Sequence, residues 1–430
     1  MPFSRSILAT FILLAVAKYA SALTKFDPQC TLPLLSVNIV SGPPVRGVLE
    51  IVWTCLATVI TCTYTVLHLN VPDPHESWYI HRLEEIGWTL ITMIAPEIIL
   101  AKTTMDFFKA RRALHGLCEH DEARRLRRWT LAHMMYGNMG GFIYTTQAGQ
   151  GWTPPTCRPT ADDICRAVCK GCLPEEPPIS KAHIMDKSKS DIFTKVVTIG
   201  QLLYFCTELM VRAAGHLAVT QLEIAVAGFA VCSVITYCFA LSKPKGVNEA
   251  SSIILTESEY KSLVNMLEND GSNSPEKSRT MSGRMSDMLR NYQVHITNNP
   301  FRDGDFAALL LVSGGSVVLG AIHLIAWNFT FPSSTERWLW NVSALVSASV
   351  LPLGIPFALL GVFVDRTLHR KERFGSDGPG YYVGGLIFSG CCILYIGSRL
   401  VIIVEMIRCL FYLPPAAFVA TWTNGMPHFE

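Results

Sequence analysis

Long apolar segments alternate with shorter polar ones along most of the chain. A helix needs about 20 apolar residues to cross the hydrocarbon layer of a membrane, and about seven segments approach that length. Because only helices and closed barrels satisfy backbone groups in lipid, continuous apolar runs of this length exclude strands. The pattern predicts an all-α fold, a polytopic transmembrane helical bundle with spans at 48–68, 86–106, 194–211, 222–241, 305–327, 338–363 and 382–404.

One further apolar segment, residues 129–146, is too short and too irregular for a lipid-facing span. It contains Gly137, Asn138, Gly140 and Gly141. Irregular backbone at membrane depth is tolerated only where protein or a water-filled cavity covers it. This segment is therefore predicted to be re-entrant, broken or interfacial.

The first residues of the chain have the three parts of a secretory signal. A short basic start precedes an apolar stretch from Ile7 to Ala17 and the small residues Ala20-Ser21-Ala22, which suit cleavage by signal peptidase. Residues 1–22 are interpreted as a signal peptide, with an uncleaved anchor as the alternative.

Two polar stretches, 147–190 and 243–303, interrupt the apolar segments in the rest of the chain. Residues 23–45 are predicted to form a lumenal tail. The other predicted parts are a first transmembrane part at 46–242 with four spans and a cysteine-containing loop at 147–190, a disordered polar loop at 243–303, a second transmembrane part at 304–410 with three spans, and a tail at 411–430.

The composition fits a multi-pass membrane protein, since half of the residues are hydrophobic and only 16% are charged. A net charge of +2 is too small to indicate a nucleic-acid partner. The basic clusters SKPKG and DRTLHRKER are separated by two crossings and can both be cytosolic, which places the sequon Asn328-Phe329-Thr330 in the lumen. The arginines after the second span contradict this orientation: Arg111, Arg112, Arg124, Arg125, Arg127 and Arg128.

The chain has fourteen cysteines, and several lie in predicted spans, where they serve as small apolar residues. Four lie in the polar loop: Cys157, Cys165, Cys169 and Cys172. Disulfides, free thiols and a metal site are all open for this set, although its spacing matches no common zinc motif.

The segment WTLITMIAPEIILAKTT places a helix breaker and a carboxylate side by side in the second span. Pro96 cannot donate to the carbonyl of Thr92, so the helix is predicted to kink there. Ionisable groups at this depth cost roughly 2.5–3.5 kcal/mol on insertion scales and usually face the bundle interior. A carboxylic acid in an apolar pocket is what a proton-donating catalyst needs, and a structural hydrogen bond from Glu97 is the alternative.

Other polar residues in the spans have a simpler interpretation. Gln201, Glu208 and Arg212 fall on one helical stripe, where Glu208 and Arg212 can form an ion pair. Glu223 opens the fourth span, where negative charge suits a helix N-terminus. Near the end of the last span, Glu405 and Arg408 can pair at the interface.

Enzymes that ionise a prenyl diphosphate need clustered carboxylates to bind magnesium. The chain has no cluster of that kind, no Walker loop and no nucleophile elbow. No metal and no other cofactor is expected.

Six segments occur in an order that resembles a large fungal family of multi-span membrane proteins: CTYTVLHLNVP at 62–72, IAPEIIL at 94–100, MGGF at 139–142, DKSKSD at 186–191, HLAVTQLE at 216–223 and SKPKGV at 242–247. This family includes the membrane-bound terpene cyclases of ascofuranone-type and macrophorin-type meroterpenoid pathways. Where the family often has Thr-Glu-Leu-Glu, this chain has Gln221 in place of the first acid, so only Glu223 carries over.

The resemblance implies cyclisation of a farnesyl chain on an aromatic or quinone-like head, started by protonation of a terminal alkene or epoxide. Glu97 is the leading proton donor in this hypothesis, with Glu223 and Glu208 as partners or cation stabilisers. Trp88 and Tyr204 are candidate aromatic walls, and Arg212 is a candidate substrate contact. The expected partners are a prenylated substrate from the bilayer and membrane lipids, in the endoplasmic reticulum. A transporter that uses the same carboxylates as a proton or ligand path is the alternative.

Overall fold

The structure is a computed structural model that describes residues 45–72, 77–120, 129–147, 156–188, 192–270, 298, 306–368 and 379–421. It is mostly helical, as the apolar pattern predicts. The predicted signal peptide and nearly all of the predicted lumenal tail lie outside the described residues.

The described helices follow one another in this order: α1 (Val48–Val66), α2 (Trp78–Ile94), α3 (Pro96–His120), α4 (Leu131–Asn138), α5 (Ala161–Cys169), α6 (Lys181–Asp186), α7 (Ile192–Ala214), α8 (Gln221–Ala240), α9 (Glu257–Asp270), α10 (Phe306–Leu324), α11 (Ser334–Leu368) and α12 (Pro379–Cys409). Short 3₁₀ turns occupy Ile325–Asn328 and Pro415–Phe418. Three strands complete the described part: β1 (Phe142–Thr146), β2 (Thr156–Cys157) and β3 (Ser251–Leu255).

Six of the described helices are long and apolar enough to cross a membrane, and they lie within α1, α7, α8, α10, α11 and α12. Their bounds agree with six of the seven predicted spans. Large apolar side chains cover their outer surfaces, as expected for contact with lipid tails. The chain is therefore a multi-pass membrane protein.

The remaining predicted span is a bent pair of helices. The axis of α3 is bent by 111° from that of α2 at Ala95, which has φ −139° and ψ 71°. The cause is Pro96, which has no N–H to continue the α2 hydrogen-bond ladder and begins α3 instead. The predicted break at Pro96 is confirmed.

Contacts between the helix ends define the two sides of the bundle. On one side, Arg46 precedes α1 and its backbone N–H donates to the carbonyl of Phe418, beyond α12. On the other side, Thr65 at the end of α1 hydrogen-bonds Thr198 near the start of α7, at 2.8 Å. The first side therefore holds the start of α1 and the end of α12. Because α7 starts on the second side and α7 and α8 each cross once, α8 ends on the second side.

The bent pair starts and ends on this second side, so it is re-entrant. The α2 helix follows the end of α1 along the chain. Asp106 of α3 forms an ion pair with Lys243, which follows the end of α8. Arg111 and Arg112 therefore lie on the same side as SKPKG and no longer contradict the predicted orientation. Arg124, Arg125, Arg127 and Arg128 lie outside the described residues. The positive-inside rule assigns this second side to the cytosol.

A small unit packs on the cytosolic side around a three-stranded sheet of order β2-β1-β3. The β1 and β3 strands are parallel, with Phe142 opposite Ser251, whereas β1 and β2 are antiparallel. Apolar residues from α3, α4, α5, α6 and α9 form one continuous core with the sheet.

This unit corrects two predictions from the sequence. Residues 129–146 do not form a re-entrant membrane segment, because Met134, Met135 and Phe142 are buried in the core of the unit. The loop at 243–303 is not wholly disordered, since β3 and α9 lie within it.

The four cysteines of the first polar loop belong to the same unit. Cys157 is buried beside the sheet, whereas Cys165, Cys169 and Cys172 are partly exposed, and all four are free thiols. Free thiols are the usual form in the reducing cytosol.

Candidate functional site

Glu97 lies in the first turn of α3 and is completely buried, at 0% exposure. The bend at Pro96 turns α3 back into the bundle, so Glu97 packs against Gly315, midway along α10. The carboxyl group is thereby enclosed by protein at membrane depth.

Two side chains of α12 approach this carboxyl group. The hydroxyl of Tyr395 hydrogen-bonds Oε1 of Glu97. Arg399, one turn further along α12, lies close enough to interact electrostatically with Glu97. Within the described part of the chain, Oε2 of Glu97 and Nη1 of Arg399 have no hydrogen-bond partner.

Arg399 also satisfies the backbone at the bend. Its Nε and Nη2 donate to the carbonyl of Ile94 at 3.1 and 2.8 Å. A hydrogen bond from a charged donor stabilises by about 1.5–3 kcal/mol, so this contact holds the end of α2 against α12. The sequence drew attention to the carbonyl of Thr92, but the one that Arg399 binds is that of Ile94.

A cavity of about 450 Å³ lies beside these residues. This volume falls within the roughly 300–1,000 Å³ typical of small-molecule sites. Its walls are almost entirely apolar, and the polar groups among them come from Tyr395 and Arg399; the lining is Ile94, Ala95, Ile98, Leu309, Val312, Leu351, Ile355, Phe388, Cys392, Tyr395, Ile396 and Arg399.

The rim of the cavity faces the surface that lipid would cover. Ile94 and Ile396 line the cavity and are 38% and 55% exposed, while Tyr395 and Arg399 are buried. The cavity thus has an apolar mouth at the membrane-facing surface and a polar inner end, a shape that suits an apolar chain with an oxygen-containing group.

The other two predicted carboxylates belong to a separate ion network. Glu223 forms a bidentate pair with Arg46, at 2.8 and 3.3 Å, and Glu208 pairs with Arg212 at 3.4 Å. Arg46 also reaches Glu208 at 3.5 Å, which joins the two pairs. All four side chains are at least nine-tenths buried. They do not line the cavity beside Glu97.

Arg212 connects this network to the C-terminal segment. It donates to the carbonyls of Ala218, Ala416, Ala417 and Val419 at 2.9–3.2 Å. Its donors are thus directed at Glu208 and at backbone carbonyls rather than at a cavity.

Trp88 and Tyr204, the predicted aromatic walls, do not line the cavity beside Glu97. Trp88 is half-buried on α2, and Tyr204 is buried beside Glu208 and Glu223. The aromatic residues that line the cavity are Phe388 and Tyr395. Tyr395 has a signal in the sequence, because it precedes the intramembrane Arg399 by four residues and so shares its helical face.

Near the end of α12, the predicted pair of Glu405 and Arg408 forms at 3.7 Å, and Arg408 also pairs with Glu336. No three His, Cys, Asp or Glu side chains of the described residues lie close enough together to hold a metal ion.

The fold and the cavity define the class: a multi-pass α-helical membrane protein with a buried carboxyl group beside a cavity that opens towards lipid. The profile of DUF8562, a family of unknown function, matches residues 24–275. Because this match covers more than half of the chain, the protein belongs to that family. No curated protein and no solved structure matches the chain.

Gly315 offers a test of the close packing around Glu97. A Cβ atom at this position would lie 2.5 Å from Cβ of Glu97, so Gly315→Ala must displace the carboxylate. We expect a loss of about 1–3 kcal/mol in unfolding free energy, measured in detergent.

The neighbouring glycine supplies a matched control for this substitution. A Cβ on Gly314 would have no atom within 4 Å, so Gly314→Ala is expected to be neutral or stabilising by about 0.5–1 kcal/mol. Equal effects of the two substitutions would contradict the packing of Glu97 against α10.

Proposed function

We propose that this protein is a membrane-bound terpene cyclase of the endoplasmic reticulum that protonates the farnesyl chain of a prenylated aromatic or quinone in fungal meroterpenoid biosynthesis. The observation that carries the proposal is the apolar cavity with Tyr395 at its inner end and Glu97 hydrogen-bonded behind it. Its apolar mouth suits a prenyl chain that arrives from the bilayer.

Glu97 is the acid in this proposal. The hydroxyl of Tyr395, which lines the cavity, donates to Glu97 in the structure and has to turn before transfer. Protonated Glu97 then donates to the Tyr395 oxygen, and the Tyr395 O–H donates to the terminal alkene carbon or epoxide oxygen. Ring closure converts C=C π bonds into C–C σ bonds, and the final cation returns a proton to Glu97 through Tyr395. Substrate and product are isomers, so no oxidant, metal or other cofactor is consumed.

Arg399 favours an epoxide over a plain alkene as the reacting group. A guanidinium beside a hydrocarbon cation raises its energy, whereas it stabilises charge that develops on an epoxide oxygen. Nη1 of Arg399 has no hydrogen-bond partner among the described residues, and Arg399 lines the cavity. Phe388 supplies an aromatic face that can steady a carbocation.

Conversion of a farnesylated phenol or quinone by membranes that contain the protein tests the proposal. The substrates are supplied with and without a terminal epoxide, and the products are separated by chromatography and weighed by mass spectrometry. We expect a product of unchanged mass and new retention, formed faster from the epoxide. Membranes from cells without the gene are the control.

The absence of any isomer from every substrate would contradict the cyclase. Uptake or release of a substrate by sealed vesicles in that case would favour a transporter that uses Glu97 as a proton site.

Residence in the endoplasmic reticulum predicts a glycan at Asn328. This residue is exposed on the side opposite the basic clusters, and its Oδ1 accepts from Arg337. We expect glycosidase treatment to increase gel mobility in the wild type and not in Asn328→Gln. Asn341→Gln is the control, because Asn341 is buried within α11 and should carry no glycan. Lack of a shift in the wild type would contradict a lumenal Asn328.

A further inference from the structure

The cavity beside Glu97 lies mainly in the cytosolic half of the membrane. The end of α12 lies on the lumenal side, opposite the cytosol, and α10, α11 and α12 each cross once, so α10 starts and α11 ends on the cytosolic side. Leu309 and Val312 line the cavity from the first two turns of α10. Leu351 and Ile355 line it from the part of α11 that follows the middle of its apolar segment.

Along α12, the cavity extends from the cytosolic half to the middle of the membrane. Phe388 and Cys392 precede the middle of the apolar segment Tyr382–Cys409, and Tyr395 and Arg399 lie at and just beyond it. With a rise of about 1.5 Å per residue, the helix from Phe388 to Arg399 is about 16 Å long. This length is close to half of the roughly 30 Å hydrocarbon layer, so the cavity extends over about one leaflet.

A cluster of apolar side chains lies between the polar end of the cavity and the lumen. Ile402 follows Arg399 by about one turn of α12 and packs with Trp340, Ala326 and Ile224, which come from the lumenal ends of other crossing segments. All four apolar residues are buried, and none of them lines the cavity. The described residues therefore fill the bundle on the lumenal side of Arg399.

The hydrogen-bonding groups of the cavity lie at its deep end. Tyr395 and Arg399 are there, whereas the walls towards the cytosol are formed by apolar side chains such as Leu309 and Phe388. A phenol or quinone head carries oxygen atoms, and burying these without hydrogen-bond partners is unfavourable. Such a head is therefore more stable beyond the cytosolic end of the cavity, among the lipid headgroups.

We propose that the protein binds its substrate from the cytosolic leaflet, with the end of the prenyl chain beside Tyr395 and Arg399 and the aromatic or quinone head outside the cavity at the cytosolic surface. This inference rests on the proposed function, because cyclisation requires the terminal alkene or epoxide to reach Tyr395. A head that stays outside does not have to fit the apolar walls. The substrate class is then defined by the prenyl chain and includes different heads.

A substrate with a membrane-impermeant head tests this orientation. It is the terminal epoxide of a farnesylated phenol that carries a sulfonate on the ring through a short polar linker, and the parent epoxide is the reference. Both are added to sealed microsomes, whose outer surface is the cytosolic face, and to the same microsomes opened with alamethicin. A lumenal marker enzyme reports whether the vesicles are sealed. We expect the sulfonated epoxide to give its isomer in sealed microsomes, with no gain in rate when they are opened.

Two results would overturn the orientation and leave the cyclase intact. Conversion of the sulfonated epoxide only in opened microsomes would place the head on the lumenal side. Conversion of the parent epoxide alone, in sealed and opened microsomes, would show that the protein encloses the head. Conversion of neither substrate would contradict the proposed function, and the orientation with it.

Leu309→Trp tests the cytosolic end of the cavity. The larger side chain fills space that the prenyl chain needs, so the KM for the parent epoxide is expected to rise by about tenfold, which corresponds to about 1.4 kcal/mol. Leu310→Trp is the matched control, because Leu310 is 52% exposed on the outer surface of α10 and does not line the cavity. It should leave the KM unchanged. Equal KM values for the two variants would contradict a prenyl chain that passes Leu309.

Discussion

Glu97→Gln is expected to abolish formation of the isomeric product while the protein remains folded in the membrane. Glutamine keeps the shape of the side chain and an oxygen that accepts from Tyr395, but its amide cannot donate a proton as an acid does. General acid catalysis contributes about 10²–10⁴-fold to a rate, so a loss of at least about a hundredfold is expected. The measurement is product formed per amount of protein in membranes.

The matched control is Glu257→Gln, which changes an exposed glutamate of α9 far from the cavity. It should retain full activity. Equal unfolding temperatures for wild type and Glu97→Gln would show that the loss arises from chemistry and not from the fold. If Glu97→Gln kept its activity, the acid would have to be another residue.

Arg212→Met is expected to give the largest loss of stability. The substitution removes every hydrogen bond from this guanidinium to Ala218 and to the C-terminal segment. It also removes the ion pair with Glu208, which keeps a 3.5 Å contact to Arg46 and a 2.7 Å bond from Thr421. Removing one partner of a buried ion pair lowers the unfolding free energy by about 3–5 kcal/mol. Unfolding in detergent measures the loss, and limited proteolysis should show that residues 415–421 become accessible.

Arg337→Met is the control for this experiment. Arg337 lies on the same side of the membrane and bonds Trp327 and Asn328, but it is exposed. A surface arginine of this kind should change the unfolding free energy by less than about 1 kcal/mol. If Arg337→Met and Arg212→Met were equally destabilising, the ion network would not hold the C-terminal segment.

The spans could be predicted because a helix that crosses lipid must be apolar over about 20 residues. Six apolar segments satisfy it and appear as helices. Residues 129–146 are apolar for another reason: Met134, Met135 and Phe142 fill the core of the cytosolic unit. Hydrophobicity does not distinguish burial in lipid from burial in protein, and this ambiguity explains the error.

The burial of Glu97 was also predictable, since a carboxyl group next to a proline break in an apolar segment has few favourable alternatives. The residues that contact Glu97 could not be predicted. Spacing places Glu208 and Arg212 on one face of α7, and their contact at 3.4 Å follows from that. Spacing cannot say which helix lies opposite, so the partnership of Glu97 with Tyr395, almost three hundred residues away, required the fold.

The ties between Arg46, Arg212 and the segment after α12 have a consequence for biogenesis. The carbonyls of Ala416 and Ala417 are among the last described parts of the chain to leave the ribosome, yet they satisfy guanidinium groups that belong to the first and second membrane crossings. Until synthesis ends, Glu208, Glu223 and both arginines stand in an incomplete network inside the nascent bundle. A polypeptide cut short before residue 416 would keep those donors unsatisfied and would present a target for quality-control machinery that recognises polar groups stranded in the membrane.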